Sequence, residues 1–196
     1  PSLALADNGN CTQAAAQIAA RLKAAGFRDD AITLFSVPEH PKEGGIVAVY
    51  PGTSSTLKPV LLLAHIDVVA AKRADWVRDP FKLVEEGGYY YARGIADDKM
   101  MAATWADTLI RFKQSGYKPA RTVTMALTCG EETDNAFNGA QYLANHRREL
   151  IDAAFALNEG GGGDTDGKGA LVAQSIQVGE KIYQDYKLVA TNPGGH

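Results

Sequence analysis

The chain has 196 residues, of which 45% are hydrophobic and 22% are charged, so it has enough apolar material for one domain with a sizeable core and is not disordered throughout. Its net charge is -3 and its Lys and Arg residues are scattered, which argues against a nucleic-acid partner. The apolar run LLLAHID is interrupted by His65 and Asp67, so no segment approaches the roughly 20 residues of a membrane span. We expect a soluble protein without a membrane partner, cytoplasmic by default and periplasmic or secreted if a leader peptide has been removed.

The two cysteines, Cys11 and Cys129, form no disulfide framework by spacing and belong to neither a CxxC nor a CxxH motif. They do not settle the redox compartment. We expect Cys129 to be a small buried residue, with a thiolate ligand as the less favoured alternative.

The first elements follow from apolar periodicity. Residues 11–26 keep helical spacing, and Gly26 stands where a left-handed cap would end that helix. AITLFSV at 31–37 and GGIVAVY at 44–50 predict strands. The segment KPVLLLAHID at 58–67 is apolar on both faces, which is typical of a central buried strand.

A second helix is predicted from residue 98 to Gly116, because Met101, Trp105, Leu109 and Phe112 form a stripe at helical spacing. Beyond it strands and helices alternate, which predicts an α/β fold with a mostly parallel central sheet, helices on both faces and room for antiparallel strands among the early segments. The segments concerned are a buried strand at 121–128, a helix at 137–150, a third core strand at 152–159, a flexible glycine-rich loop at 160–169, and strands at 171–179 and 181–191.

Acidic groups and one histidine follow the buried strands. In an open parallel sheet the carboxyl ends of neighbouring strands meet at one crevice, so these side chains should converge. Several carboxylates in one apolar crevice repel one another unless cations are present, and oxygen and nitrogen donors suit Zn²⁺, Mn²⁺ or Co²⁺. The residues are His65 and Asp67, then Asp97 before the second helix, Glu131 and Glu132, and Glu159.

The His-x-Asp spacing adds a positioning group. Asp67 lies two residues after His65, so both side chains point to the same side of an extended strand. Asp67 could therefore hold the ring of His65 in the tautomer that binds metal.

Several motifs in one order resemble the M20 family of metallopeptidases, which includes glutamate carboxypeptidase, aminoacylase, carnosinase-type dipeptidases and succinyl-diaminopimelate desuccinylase. The resemblance runs from about Asn10 to the last residue. It implies a zinc-exopeptidase-like catalytic domain over residues 1–190, with residues 191–196 starting the linker to a lid domain. The motifs are LLLAHIDVV, DWVRDPF followed by YYYARGIADDK, TCGEE, ALNEG and NPGGH.

The resemblance also implies roles for the clustered residues. Asp97 would bridge two divalent metal ions, with zinc as the favoured metal and manganese or cobalt as alternatives. The peptide bond between Asp97 and Asp98 would be cis. His65 and Glu159 would join Asp97 around one ion, and Glu132 would join Asp97 around the other. Asp67 would support the site beside His65.

The implied reaction is hydrolysis of an amide bond in a small peptide, a dipeptide or an N-acyl amino acid. Glu131 matches the family's general base, which takes a proton from water and returns it to the leaving amine. His196, in NPGGH, matches a histidine that stabilises the tetrahedral oxyanion, often across a dimer. The resemblance therefore implies a homodimer for the full-length protein.

One departure from the family pattern carries an expectation of its own. Family members hold the second metal with a further histidine far downstream, and no residue of this sequence corresponds to it. We expect this chain to hold one metal well and the other weakly, with little activity by itself.

Two other classes of function remain as alternatives. A non-catalytic binding or assembly domain could keep a structural metal. A nucleotide-binding fold could use the loop 160–169, but Lys168 is followed by glycine instead of Ser or Thr, which opposes a phosphate loop.

Overall fold

The computed structural model describes residues 10–132, 137–176, 178, 179, 184 and 186–194. The chain divides into two compact units, residues 1–159 and 160–196. The domain boundary predicted near residue 190 stays a prediction.

The first unit contains three α-helices and seven strands within its described residues. Five strands form one sheet in the order β1-β2-β6-β3-β7, and β4 pairs with β5 in a separate hairpin. The elements are α1 (Cys11–Ala24), β1 (Ile32–Val37), β2 (His40–Tyr50), β3 (Val60–His65), β4 (Val84–Glu86), β5 (Tyr89–Tyr91), α2 (Met100–Ser115), β6 (Val123–Thr128), α3 (Gly139–His146) and β7 (Phe155–Leu157).

Strand directions confirm the predicted mostly parallel sheet. The strand β3 lies between β6 and β7 and is parallel to both. The strand β2 is antiparallel to β6 and to β1, so β1, β3, β6 and β7 all run in one direction. The carboxyl ends of β3 and β6 therefore lie at the same edge.

Helices cover both faces of this sheet, as predicted. Along β3 the side chains alternate, so that Leu62 and Ala64 join the core beneath α1 and α2, whereas Leu61 joins the smaller core beneath α3. The last turn of α1 supplies the fully buried Leu22, and burial of such a side chain contributes about 1.5–3 kcal/mol. None of the helices in the described part of the chain combines the length and the apolar character that crossing a bilayer would require.

The strand β7 corrects one expectation. Residues 152–159 were predicted to form a core strand, but Phe155 is 52% exposed and Leu157 is 46% exposed. The reason is strand order, because β7 lies at the end of the sheet and pairs with β3 on one side.

The second unit contains an antiparallel hairpin of β8 (Gly162–Thr165) and β9 (Leu171–Ser175). The expectation of a flexible loop over residues 160–169 is therefore wrong for its first half. Of the segment 181–191, also predicted as a strand, residues 181–183 and 185 lie outside the described residues, and the others form no strand.

A disulfide bond joins Cys11, at the start of α1, to Cys129, directly after β6. The two residues are 118 positions apart and their Cα atoms lie 6.1 Å from each other. Cys129 is buried as expected, but it is neither a free thiol nor a metal ligand, and this corrects the sequence interpretation of the cysteines.

Candidate metal centre

The candidate site lies at the carboxyl edge of the sheet. His65 is the last residue of β3 and pairs in register with Thr128, the last residue of β6. The segments that continue from these two strands carry Asp67 and the pair Glu131 and Glu132. Strand ends therefore bring residues far apart in sequence into one crevice, as parallel pairing requires.

His65 is at the centre of the cluster and its side chain is only 3% exposed. Its Nε2 lies 2.9 Å from Asp97 Oδ1, 3.6 Å from Glu159 Oε2 and 3.8 Å from Glu131 Oε2. Its Nδ1 lies 3.2 Å from the backbone carbonyl oxygen of Asp67 and 3.5 Å from the Oδ1 of the same residue. The ring is thus oriented by Asp67 on one side and directed at the carboxylates on the other.

Two sets of ligand atoms are close enough to share an ion. One atom each from His65, Asp97 and Glu159 lie within 4.8 Å of one another, and the same holds for His65, Glu131 and Glu132. Imidazole nitrogen and carboxylate oxygen without thiolate are a donor set that fits Zn²⁺, Mn²⁺ or Co²⁺. The residues present therefore fit a divalent metal.

Asp67 is fully buried and supports the glutamate pair through the backbone. Its Oδ2 accepts a hydrogen bond from the N–H of Glu132 at 3.0 Å, and its Oδ1 accepts one from the N–H of Glu131 at 3.4 Å. Burial alone would raise the pKa of Asp67, but the hydrogen bonds from His65 and from the Glu132 N–H outweigh it and hold the pKa below its usual value. Asp67 is therefore an ionised carboxylate that links β3 to the glutamate loop.

The corner that precedes the glutamates is held from several sides. The carbonyl oxygen of Cys129 accepts the N–H of Gly139 at 2.8 Å, and the carbonyl oxygen of Gly130 accepts the side-chain amide of Asn138 at 3.2 Å. Gly130 has φ +85°, and a Cβ at this position would lie 1.9 Å from the carbonyl oxygen of Phe137. The start of α3 and the disulfide together fix the direction in which Glu131 leaves the strand.

The peptide bond between Asp97 and Asp98 is cis, as the resemblance implied. The Asp97 side chain is 65% exposed and points its Oδ1 at His65. Asp98 is buried, its Oδ2 accepts the backbone N–H of His65 at 3.3 Å, and burial raises its pKa. The paired aspartates therefore have different surroundings, one at the open crevice and one beneath it.

The electrostatics show how crowded the carboxylates are. Burial raises the pKa of Glu132, and the negative charges of Asp97 and Glu131 add to the shift. Burial also raises the pKa of Glu159. For His65, burial opposes protonation, but hydrogen bonding to Asp67 and Asp97 and the charge of Glu159 outweigh it and raise the pKa to about 10. In the metal-free site the protonated His65 ring supplies positive charge to the surrounding carboxylates. A divalent metal ion bound there would supply more.

Sequence reasoning missed two residues that the structure adds to the cluster. Asp98 was read only as the partner of a cis bond, although it holds the backbone of His65. Lys99 was not assigned a role, yet Asp67, Asp97 and Glu132 interact with its ammonium, whose pKa burial lowers to about 8. The sequence DDK could have indicated this, because its lysine directly follows two acidic residues at the start of a helix. His196 lies outside the described residues.

Comparison with known protein sequences finds relatives of this chain. The profile of peptidase family M20/M25/M40 matches residues 61–193. An uncharacterised carboxypeptidase of Schizosaccharomyces pombe is 32% identical in an alignment of 163 residues that covers 81% of this chain and 27% of that protein. Human aminoacylase-1 is 33% identical over 151 residues, 76% of this chain and 36% of that enzyme. The chain thus spans about a third of the length of these relatives.

Solved structures show the same fold. An M20 family metallo-carboxypeptidase from Sulfolobus solfataricus matches with a TM-score of 0.64 and 21% identity, over 82% of this chain and 34% of that one. Human carnosine dipeptidase 1 matches with a TM-score of 0.55 and 21% identity, over 74% and 31% of the two chains. With the profile match over most of its length, the chain belongs to peptidase family M20/M25/M40.

Proposed function

We propose that this chain is part of the catalytic domain of a metal-dependent amide hydrolase that cleaves a peptide, a dipeptide or an N-acyl amino acid. The observation that carries the proposal is the set of His65, Asp97 and Glu159, whose ligand atoms lie within 4.8 Å of one another with Glu131 beside them. The names of the relatives, among them a carboxypeptidase and an aminoacylase, support this substrate class.

We assign the ligands as the family resemblance implies. Asp97 would hold two divalent ions in common, His65 and Glu159 would complete one site, and Glu132 would contribute to the other, with zinc as the proposed metal. Metal analysis of the purified protein by mass spectrometry tests both the identity and the number of ions. A chain that binds neither Zn²⁺, Mn²⁺ nor Co²⁺ would contradict the assignment.

Each residue has a distinct task in the proposed reaction. Bound divalent ions would lower the pKa of a water molecule and polarise the substrate carbonyl. Glu131, whose side chain is 51% exposed at the crevice, would take a proton from the attacking water and return it to the amine that leaves when the amide C–N bond breaks. Asp67 holds the backbone of the glutamate pair and the ring of His65, so it positions these groups without reacting.

Replacement of Glu131 by Gln tests the proposal. Loss of a general acid–base group lowers the rate by roughly 10²- to 10⁴-fold, while metal content should stay at the wild-type level because the ligands remain. Glu149→Gln is the matched control, since Glu149 pairs with Arg147 on the surface. Dipeptides and N-acetyl amino acids serve as substrates, and mass spectrometry follows their products.

The outcomes separate the alternatives. Equal rates for wild type and Glu131→Gln would remove the proton-transfer role, and loss of metal in this variant would make Glu131 a ligand instead. A wild-type chain that binds metal but hydrolyses no substrate of the panel would favour a non-catalytic metal-binding domain.

Three further proposals concern the complete protein. His196 would stabilise the oxyanion, the catalytic domain would extend to residue 190, and the full-length protein would be a homodimer. Light scattering tests the last of these, and a monomer at micromolar concentration would contradict it.

A further inference from the structure

The strand β2 contains a bulge near its start. Phe35 of β1 pairs with Gly45 and Val37 pairs with His40, so residues 41–44 of β2 lie opposite a single residue of β1. Extra residues of this kind interrupt the ladder, bend the strand and redirect a side chain, and such bulges are frequent beside active sites. The bulge therefore needs an explanation beyond the pairing of β1 with β2.

Two contacts fix the place and the shape of the bulge. Ile46 pairs with Leu127 near the end of β6, so the bulge lies at the carboxyl edge of the parallel strands, as the candidate site does. Thr12 of α1 holds the bulge at two points, because its Oγ1 donates to the carbonyl oxygen of Pro41 at 2.8 Å and accepts the N–H of Gly44 at 3.1 Å. The bulge is thus anchored to a helix and is not a frayed strand.

Glu43, inside the bulge, directs its carboxylate at the residues that precede α3. Its Oε2 accepts the backbone N–H of Phe137 at 3.0 Å and lies 3.2 Å from Nδ1 of His40. The rings of His40 and Phe137 also stack, with centroids 5.8 Å apart. The Glu43 side chain is only 20% exposed, and hydrogen bonds to a charged acceptor are among the stronger ones. Phe137 is therefore held through its backbone and through its ring.

Phe137 lies against the corner that carries the glutamate pair. A Cβ on Gly130 would lie 1.9 Å from the carbonyl oxygen of Phe137, so the two backbones touch at the residue before Glu131. Asp67 accepts the N–H groups of the glutamates themselves, and Glu43 accepts the N–H of Phe137 beyond them. Two carboxylates from different parts of the sheet thus hold this corner.

We propose that Glu43 is a positioning residue for the proposed base Glu131 and the proposed ligand Glu132, and that it acts through the backbone of Phe137. This inference rests on the proposed function, because it concerns the same site. Loss of the Glu43 carboxylate would release Phe137 and the corner that it touches, and a displaced base or ligand lowers rate and metal affinity. A purely structural role would change the unfolding free energy and leave the folded site as it is.

The first measurement is amide hydrogen exchange by NMR in excess chelator, relative to amides in the core of α2. Glu43→Ala removes the acceptor, Glu43→Gln keeps an acceptor oxygen, and Glu39→Ala is the matched control in the exposed turn of the same hairpin. In Glu43→Ala we expect exchange to be about tenfold faster at Phe137 and about threefold faster at Glu131 and Glu132. The other two variants should stay close to wild type. Unchanged exchange at the glutamates in Glu43→Ala would overturn the proposal.

The second measurement is a Zn²⁺ competition titration against a chromophoric chelator. We expect affinity to fall on the order of tenfold in Glu43→Ala and to return to within about threefold of wild type in Glu43→Gln. In a Glu132→Gln background, Glu43→Ala should have little further effect, because the ligand that it positions is already gone. An equal loss of affinity in both backgrounds would overturn the proposal.

A further variant and the two measurements together separate the failures. Glu43→Asp keeps the charge on a shorter side chain, and it replaces Glu43→Ala, with losses expected in the same direction, if the alanine variant does not fold. A wild-type chain without Zn²⁺ affinity would refute the proposed function, and exchange in chelator would still decide whether Glu43 holds the glutamates. A wild-type chain that binds Zn²⁺, with exchange at Glu131 and Glu132 unchanged in the Glu43 variants, would refute this inference alone.

Discussion

Replacing Asp67 by Asn should damage both the stability and the metal affinity of the chain. The carboxylate is fully buried, and its two oxygens accept the N–H groups of Glu131 and Glu132. An amide has one acceptor oxygen, so one of these N–H groups would face an NH₂ group. A hydrogen bond to a charged group contributes about 1.5–3 kcal/mol, and an unsatisfied buried donor costs about 1–3 kcal/mol, so we expect Asp67→Asn to lose about 2–4 kcal/mol of unfolding free energy.

Two assays measure these effects. Urea denaturation in chelator, followed by tryptophan fluorescence, reports the unfolding free energy of the metal-free protein. A Zn²⁺ titration should show roughly 10- to 100-fold weaker binding, the usual effect of losing a group that orients a metal-ligating histidine. Asp152→Asn is the control, because Asp152 forms an exposed ion pair with Lys58 at 3.0 Å, and such pairs contribute less than about 1 kcal/mol. An unfolding free energy within about 0.5 kcal/mol of wild type, together with unchanged Zn²⁺ affinity, would refute the reasoning. It would mean that the Asp67 contacts contribute neither to stability nor to metal binding.

Further perturbations address protonation, the corner before the glutamates and the disulfide. The pKa of His65 is raised from 6.5 to about 10, so its protonation stabilises the metal-free fold fully below pH 6.5, and this contribution is lost as the pH rises towards 10. Because a metal must displace that proton, Zn²⁺ affinity measured by titration should rise between pH 6 and 8, by at most about tenfold per pH unit, and a flat profile would contradict the shift. Gly130→Ala should cost more than about 2 kcal/mol in urea denaturation, whereas Gly116→Ala, which also has positive φ but open space around it, should cost about 1 kcal/mol, and equal losses would remove the steric argument. The double change of Cys11 and Cys129 to Ala should lower the unfolding free energy by about 2–5 kcal/mol in non-reducing denaturation, and dithiothreitol should then have no further effect on the variant.

Strand ends were the part of the site that sequence could predict. His65, Glu131 and Glu159 each follow an apolar run, and the direction of parallel strands places the ends of such runs at one edge. No knowledge of side-chain packing was needed to expect them together. The family resemblance added a bridging role for Asp97, which no periodicity could assign.

The remaining features depend on three-dimensional arrangement. The exposure of Phe155 follows from the place of β7 in the strand order, which an apolar run does not encode. The pairing of Cys11 with Cys129 joins the start of a helix to the end of a strand, and no local spacing predicts that proximity. The burial of the Lys99 ammonium depends on the backbone of Gly94 as much as on the lysine.

The disulfide also makes most of the first unit a covalent ring. The ring runs from Cys11 to Cys129 and contains the sheet strands β1, β2, β3 and β6, as well as His65 and Asp97. A protease that cuts one bond in the exposed stretch around Val77 would leave both pieces attached to each other. Nicked and intact molecules would therefore migrate as one species on a denaturing gel until a reductant is added.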